Sequence, residues 1–394
     1  METKKGRITA TTTIEELGDD LTVQILRLMP LKSIVLCLGV CKRWQSLIND
    51  GPFFLTNAMN VSYGHRASKC MWLRRGQRGG GMQKSELSFS VRFSDKSMFD
   101  DRIFSSSNGL VFSGVSVRGS LHKFYIFNPW TRECVTFRKP YYISPSSSSG
   151  FAIENNPINS ISSDNSTNNK NNAALYKIVV VKRIEVYSTY RFGVYSSDKK
   201  RWQLLELVVE PHLWHVTLAR NSIYCNRVLY WQCKDCKWCK EDHALMLNLE
   251  KETASRLDLP PKEDGIVVGR KLTECSGQLH YIRISSIRRR LGICKMSMMR
   301  DEWVILDNVE LEGAVERNLQ LFPNYHRINE YYPQIFKPVD MNCQGDDKVL
   351  LGYDNHRIVS YDLKRAEFEL VLEEVWGRWN FFRYTPTNKS ISKR

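Results

Sequence analysis

The apolar positions of this chain change their period once. From Leu17 to Ile48 they recur at helical spacing: Leu17, Leu21, Ile25 and Leu28, then Ile34, Leu38 and Cys41. This predicts three short helices. Asp19 and Asp20 suit the positive end of the first, Pro30 breaks the chain before a second, LKSIVLCLG, which Gly39 ends, and a third carries Trp44, Leu47 and Ile48. Of the 32 residues from Leu17 to Ile48, 18 are hydrophobic. So small a unit cannot cover that much apolar surface by packing on itself, and part of the surface should meet another protein.

Beyond Phe54 apolar and polar residues alternate, as in HKFYIFN, RFGVYSS and HRIVSYD, with Gly, Asn and Asp at the breaks. Five segments align on one turn when Asn128, Ser196, Asn248, Ser297 and Asp362 are taken as equivalent. The residue before each anchor is Phe127, Tyr195, Leu247, Met296 or Tyr361, and nine residues after it stands Phe137, Leu205, Leu257, Leu306 or Val371. These positions predict a repeated hairpin with a fixed buried face. The spacing, corrected for insertions, approaches the roughly 40–50 residues of a four-stranded propeller blade. NGLVF, NRVLYW, GQLHYI and KVLLGY supply a second strand to most units. Val61 to Phe104 is expected to give part of a sixth unit, closed by WNFFRY near the C-terminus. Residues 144–172, with nine serines and eight asparagines, read as a disordered insert.

The hydrophobic content of 42% fits a large packed core, and the longest apolar run, Ile34 to Cys41, is far too short to span a bilayer. The polar start predicts no export signal, so the expected location is cytoplasmic, nuclear or both. The eleven cysteines are scattered and several, such as Cys37, Cys134 and Cys294, sit in apolar patterns, so no disulfide framework is expected. The net charge of +15 is concentrated in Asn60 to Ser85 and in Arg288 to Arg290. Such clusters would suit an acidic partner, nucleic acid included, or simply form a solvated surface.

CKDCKWCKEDH, from Cys233 to His243, could bring Cys233, Cys236, Cys239 and His243 to one zinc ion, with Cys225 as a substitute ligand. It also falls where the repeat needs a hairpin turn, and His243 can equally begin the next strand. GxGxxG, P-loop, GxSxG and HExxH signatures are missing, and His212 and His215, three apart, would point to opposite faces of a strand. No cofactor and no catalytic activity are expected.

The segment LGDDLTVQILRLMPLKSIVLCLGVCKRWQSLINDGPFF resembles the F-box, the motif that docks the Skp adaptor of an SCF ubiquitin ligase. Gly18, Leu28 and Leu36 depart from its usual plant pattern, which has proline at the first and commonly arginine at the others. NGLVF…YIFNPWTRE, YKIVVV…RFGVYSSDKKRW, VLYW and YDLKRAEFE resemble the F-box-associated, kelch-like domain of plant F-box proteins. The resemblance implies an α+β chain: a flexible N-terminus (1–13), a three-helix F-box (14–60), an all-β propeller-like domain (61–385) and a flexible tail (386–394). It also implies a substrate receptor that binds the adaptor, and through it cullin, by Leu17, Leu21, Ile25, Leu26, Pro30, Ile34, Val40, Trp44 and Leu47. The β domain would hold a target protein of unspecified identity. A basic nucleic-acid-binding module and a zinc protein are the alternatives.

Overall fold

A computed structural model describes residues 17–28, 37, 40–44, 47, 56–63, 67–75, 82–85, 99–107, 109–117, 120–128, 133–138, 140, 148–154, 173–184, 189–209, 217–219, 221–234, 243–260, 267–275, 277–286, 289–297, 302–323, 325, 336–342, 348–353, 357–372, 378–384 and 390–391. The chain divides into two compact units, Met1–Phe54 and Leu55–Arg394. In the first, helix α1 (Asp19–Leu28) opens with the two aspartates at its positive end. Cys37, Lys42 to Trp44 and Leu47 are also helical.

The second unit is a succession of antiparallel sheets. The first three strands are β1 (Thr56–Tyr63), β2 (Ala67–Arg75) and β3 (Met82–Ser85). A four-stranded sheet follows: β4 (Phe99–Ser107), β5 (Leu110–Val117), β6 (Ser120–Phe127) and β7 (Cys134–Arg138). The next is β8 (Ser148–Glu154), β9 (Ala173–Arg183), β10 (Thr189–Ser196) and β11 (Arg201–Val208). Then come β12 (Thr217–Leu218) and β13 (Ile223–Cys225), both on β14 (Val228–Lys234), with β15 (His243–Asn248) and β16 (Thr253–Asp258). A further sheet is β17 (Val267–Cys275), β18 (Gln278–Ser285), β19 (Arg290–Ser297) and β20 (Glu302–Glu310), followed by the short helix α2 (Glu312–Arg317). The last is β21 (Phe336–Asn342), β22 (Lys348–Tyr353), β23 (Arg357–Asp362) and β24 (Glu367–Leu372). Strand β25 (Arg378–Tyr384) then pairs with β1, so the sequence WNFFRY completes the sheet that β1 to β3 begin. This makes six sheets among the described residues.

The first strands lie side by side in a ring, β4 beside β8, then β13, β17, β21 and β25, which returns to β4. Each is the innermost strand of a propeller blade, and closure by β25 removes the open edges of a linear array. The apolar cores lie between successive blades. Phe112, Phe124 and Phe137 of one blade meet Phe151, Tyr176 and Tyr195 of the next, with Phe112 and Phe151 ring centroids 5.6 Å apart. Stacking between two neighbours explains why middle strands such as β23 are buried on both faces, while the outer strand β11 alternates between half-buried and exposed residues.

The anchors all stand at the end of the third strand of a blade, and at two of them the polar side chain holds the turn. Asn248 Oδ1 accepts hydrogen bonds from the amides of Glu250 (3.0 Å) and Lys251 (2.9 Å), and Asp362 Oδ1 those of Lys364 and Arg365 (both 3.0 Å). Four residues after the anchor the chain turns left-handed at Lys200, Glu252 and Ala366, with φ of 51°, 52° and 54°. Ala366 is half-buried against the core of its blade, which offsets part of the strain of its Cβ, so Ala366→Gly should stabilise the unit by at most about 1 kcal/mol, read as a rise in Tm.

Five expectations need correction. The stretch 144–172 is not wholly a disordered insert: Ser148–Glu154 is β8, with Phe151, Ala152 and Ile153 buried. The residues 386–394 are not a free tail, because Ser390–Ile391 adds a short parallel strand to β9 and Ile391 is buried, its amide donating to Glu133 Oε2 at 2.8 Å. The first unit ends before residue 60, since β1 starts at Thr56 to meet β25. Leu306 leaves the buried face and is 44% exposed: Ile293 pairs with Asp307 and Cys294 with Ile305, so Leu306 is the extra residue of a bulge. Cys275 is disulfide-bonded, whereas Cys37, Cys41, Cys134, Cys225, Cys233 and Cys294 are thiols.

Candidate functional site

Two features of the sequence call for a site: the apolar helical unit and the cysteine-rich loop. Along α1, Leu21 and Ile25 stand four residues apart, which places them on one face, and Leu17 precedes the helix. Leu21 is 52% and Ile25 41% exposed, Leu17 is half-buried, and Val40, beyond the helix, is 63% exposed. The adjoining side, about 100° further round the helix, carries Thr22 and Leu26, again four apart, and both are buried. Leu26 therefore packs the helix down and leaves no surface to offer a partner, contrary to its expected role in docking. Trp44 and Leu47 are half-buried. Pro30 and Ile34 lie outside the described residues.

What holds this surface in place is polar. Thr22 Oγ1 donates to the Gly18 carbonyl at 3.0 Å, fastening the first turn. Arg43 reaches across from the later helical segment, its Nε donating to Asp19 Oδ1 at 2.8 Å and a terminal nitrogen to the Leu17 carbonyl. A partly exposed pair of this kind adds little energy. Its forked geometry nevertheless fixes the angle at which α1 presents Leu21 and Ile25. Hydrophobic periodicity overlooked Arg43, whose only signal is its position beside Trp44.

The cysteine loop resolves differently. Cys233 lies on β14 and His243 on β15, and the ladder, which pairs Gln232 with Ala244, puts the two directly opposite each other. Both are buried. Cys233 belongs to the same core as Trp231 and Leu245, and it faces Tyr190, whose hydroxyl is pushed up to about 12 by burial and by that thiol. Cys236 and Cys239 lie outside the described residues. Cys225 cannot replace them: it pairs with Val228 at the far end of β14, donates to the Gly277 carbonyl at 3.4 Å, and is pushed up to about 12 by burial and by Glu274. Among the described residues no group of three or more His, Cys, Asp or Glu side chains converges on a metal position.

The basic run Arg288 to Arg290 is not a continuous patch. Arg289 is buried and Arg290 pairs with Glu310 at 3.0 Å, while Arg288 lies outside the described residues. No helix among the described residues is long and apolar enough to cross a membrane.

Comparison with known proteins gives two family matches. Residues 14–56 match the F-box domain, and residues 66–394 match the family described as F-box protein At3g26010-like, beta-propeller. The chain is 24% identical over 357 residues to F-box protein At5g07610 of Arabidopsis thaliana, covering 80% of this chain and 74% of that one. It is 24% identical over 287 residues to F-box/kelch-repeat protein At3g61590 of the same plant, covering 70% and 64%. Among solved structures, TolB from Acinetobacter baumannii superposes with a TM-score of 0.42 at 9% identity, covering 88% of this chain and 71% of that one.

Proposed function

We propose, from the premise that this chain belongs to the F-box protein At3g26010-like β-propeller family, that it is the substrate-recognition subunit of an SCF-type ubiquitin ligase. The observation that carries the reading is the exposed apolar face of α1, Leu21 with Ile25, on a helix whose adjoining side is already used for packing. A helix with two apolar sides in so small a unit has a partner for the second. That partner is a Skp-type adaptor, which joins the chain to cullin, while the propeller holds the target protein. The reading assigns no catalytic step to this chain. It is tested by retention of the full chain on immobilised Skp adaptor and by recovery of cullin in the same complex.

The adaptor works without a resident metal. Cys233 and His243 supply two donors, Cys233 within an apolar core and His243 buried. Protein purified without chelators should contain far less than one zinc per chain by elemental analysis, and Cys236→Ser should leave its melting temperature unchanged. The Arg288 to Arg290 run offers little to a nucleic acid, because it contributes one buried and one carboxylate-paired arginine; the side chains of the Asn60 to Ser85 cluster lie outside the described residues.

A further inference from the structure

The innermost strands of three successive blades end on or beside a cysteine: β13 on Cys225, β17 on Cys275, and β21 on Asn342, which Cys343 follows in the chain. Cys225 is a thiol, whereas Cys275 is disulfide-bonded. Cys275 is also buried. It belongs to the core between the blade of β17 to β20 and that of β21 to β24, with Ile282 and Ile293 from the first and Met341 and Val349 from the second. Its bond is therefore made within the contact between two blades.

The sequence leaves few choices for the second sulfur. Of the eleven cysteines, Cys37, Cys41, Cys134, Cys225, Cys233 and Cys294 are thiols, so the partner is Cys70, Cys236, Cys239 or Cys343. Cys70 belongs to β2, two strands out from the innermost strand β25, in a blade that does not adjoin that of β17. Cys236 and Cys239 stand in the connection that leaves the Cys233 end of β14. Cys275 is at the other end of that strand, because the turn after it offers the Gly277 carbonyl to Cys225, which pairs with Val228. Cys343 alone is close along the chain. The inner strands β17 and β21 are neighbours, and Thr273 Oγ1 donates to Asp340 Oδ1 at 2.7 Å. From that contact Cys275 is two residues on and Cys343 three, and Met341, between Asp340 and Cys343, already lies in the core of Cys275. Cys343 lies outside the described residues, and its covalent tie to Asn342 keeps its Cα within about 3.8 Å of the end of β21.

We propose that Cys275 is bonded to Cys343 and that this bond is a redox-operated clasp across the inner ring of the propeller. Closing it joins two thiols into one S–S bond, releasing two protons and two electrons, and glutathione disulfide takes both to become two glutathione thiols; opening runs the same exchange in reverse. The clasp adds to the ring without being required for it, since the Thr273–Asp340 hydrogen bond and the apolar core still join the two blades when it is open. The closed form gains stability by restricting the unfolded chain. Exchange at so buried a sulfur waits on local parting of the strand ends. In a reducing compartment a disulfide that forms at all is usually a sensing one. That last step rests on the ligase reading, which sets the compartment, while the pairing does not.

The test uses the full chain, equilibrated with excess glutathione disulfide or with excess glutathione, then unfolded and alkylated. Cys275 and Cys343 should be protected together in the oxidised sample and labelled together in the reduced one, and proteolysis of the oxidised sample without reductant should release their two peptides joined. Reduction should lower the Tm of the β unit by several degrees, reversibly. Cys343→Ser should abolish that difference, and Cys225→Ser, at the neighbouring strand end, should preserve it. The peptide mapping needs no variant. Cys275 joined to any other cysteine, protection that no excess of glutathione reverses, or a Tm that responds to glutathione equally in Cys343→Ser would each overturn the proposal. Adaptor binding is measured on the same samples, so a chain that exchanges at this pair but never binds Skp would refute the ligase reading and leave the clasp standing.

Discussion

Deletion of residues 144–172 should leave no folded propeller. The segment contains β8, the innermost strand of its blade, which pairs with β9 from Ser148 to Glu154 and buries Phe151 and Ile153. Loss of buried Phe and Ile side chains costs roughly 3–5 and 2–5 kcal/mol. With the ladder to β9 also gone, the total is comparable to the roughly 5–15 kcal/mol that stabilises a whole domain. The blade would also lose its contact with the next, where Trp231 Nε1 donates to the Ser149 carbonyl at 3.1 Å. Replacing only residues 155–172 by a Gly-Asn-Gly linker should change the melting temperature by no more than a few degrees, because loop-closure entropy varies by only about 0.6 kcal/mol per doubling of length. Thermal melts followed by circular dichroism check both. A 144–172 deletion that melts like the full chain would show that β8 does not build the inner ring.

The second large effect is on adaptor binding. Burying a large apolar side chain contributes roughly 1.5–3 kcal/mol, and Leu21 and Ile25 begin about half exposed, so together they should contribute roughly 2–3 kcal/mol. Leu21→Ala with Ile25→Ala should therefore weaken binding of the Skp adaptor by about two decades. Leu26→Ala should behave differently. Its side chain is fully buried, so the variant should lower the stability of the helical unit, visible as a loss of helical signal in the absence of any partner.

The blades were legible in the sequence because their turns are built from local chemistry. Asn248 and Asp362 read as turn residues and act as such, accepting two backbone amides each. NGLVF read as a strand, and Leu110–Val117 is β5, entered through Gly109 at φ of 79°. The closing strand was legible as an alternating aromatic run, WNFFRY, at the place where a partner for the first strands was missing. Strand β8 was not legible, and the reason is packing. Its Ser148, Ser149 and Gly150 read as part of a low-complexity loop, yet a Cβ at Gly150 would lie 2.7 Å from Ser222 Oγ and 2.8 Å from Trp231 Cζ2. Small residues stand there because the next blade comes close, and composition alone does not distinguish close approach from disorder. Leu306 was misassigned because a bulge changes parity without altering the spacing of apolar residues. On α1 the helical period gave the stripe of Leu21 and Ile25, but that this stripe stays exposed while the neighbouring Leu26 is filled depends on residues distant in sequence such as Arg43.

The central claim, that the exposed face of α1 is an adaptor-docking surface, is tested most directly by titrating purified Skp adaptor into three forms of the full chain and measuring Kd by calorimetry. The first is the wild type, the second carries Leu21→Ala and Ile25→Ala, and the third carries Leu204→Ala and Val208→Ala, a similarly exposed apolar pair on β11 of the propeller. The wild type and the propeller variant should bind with the same affinity, and the α1 variant about a hundredfold more weakly. A wild type that does not bind, or an α1 variant whose Kd equals that of the wild type, would contradict the assignment.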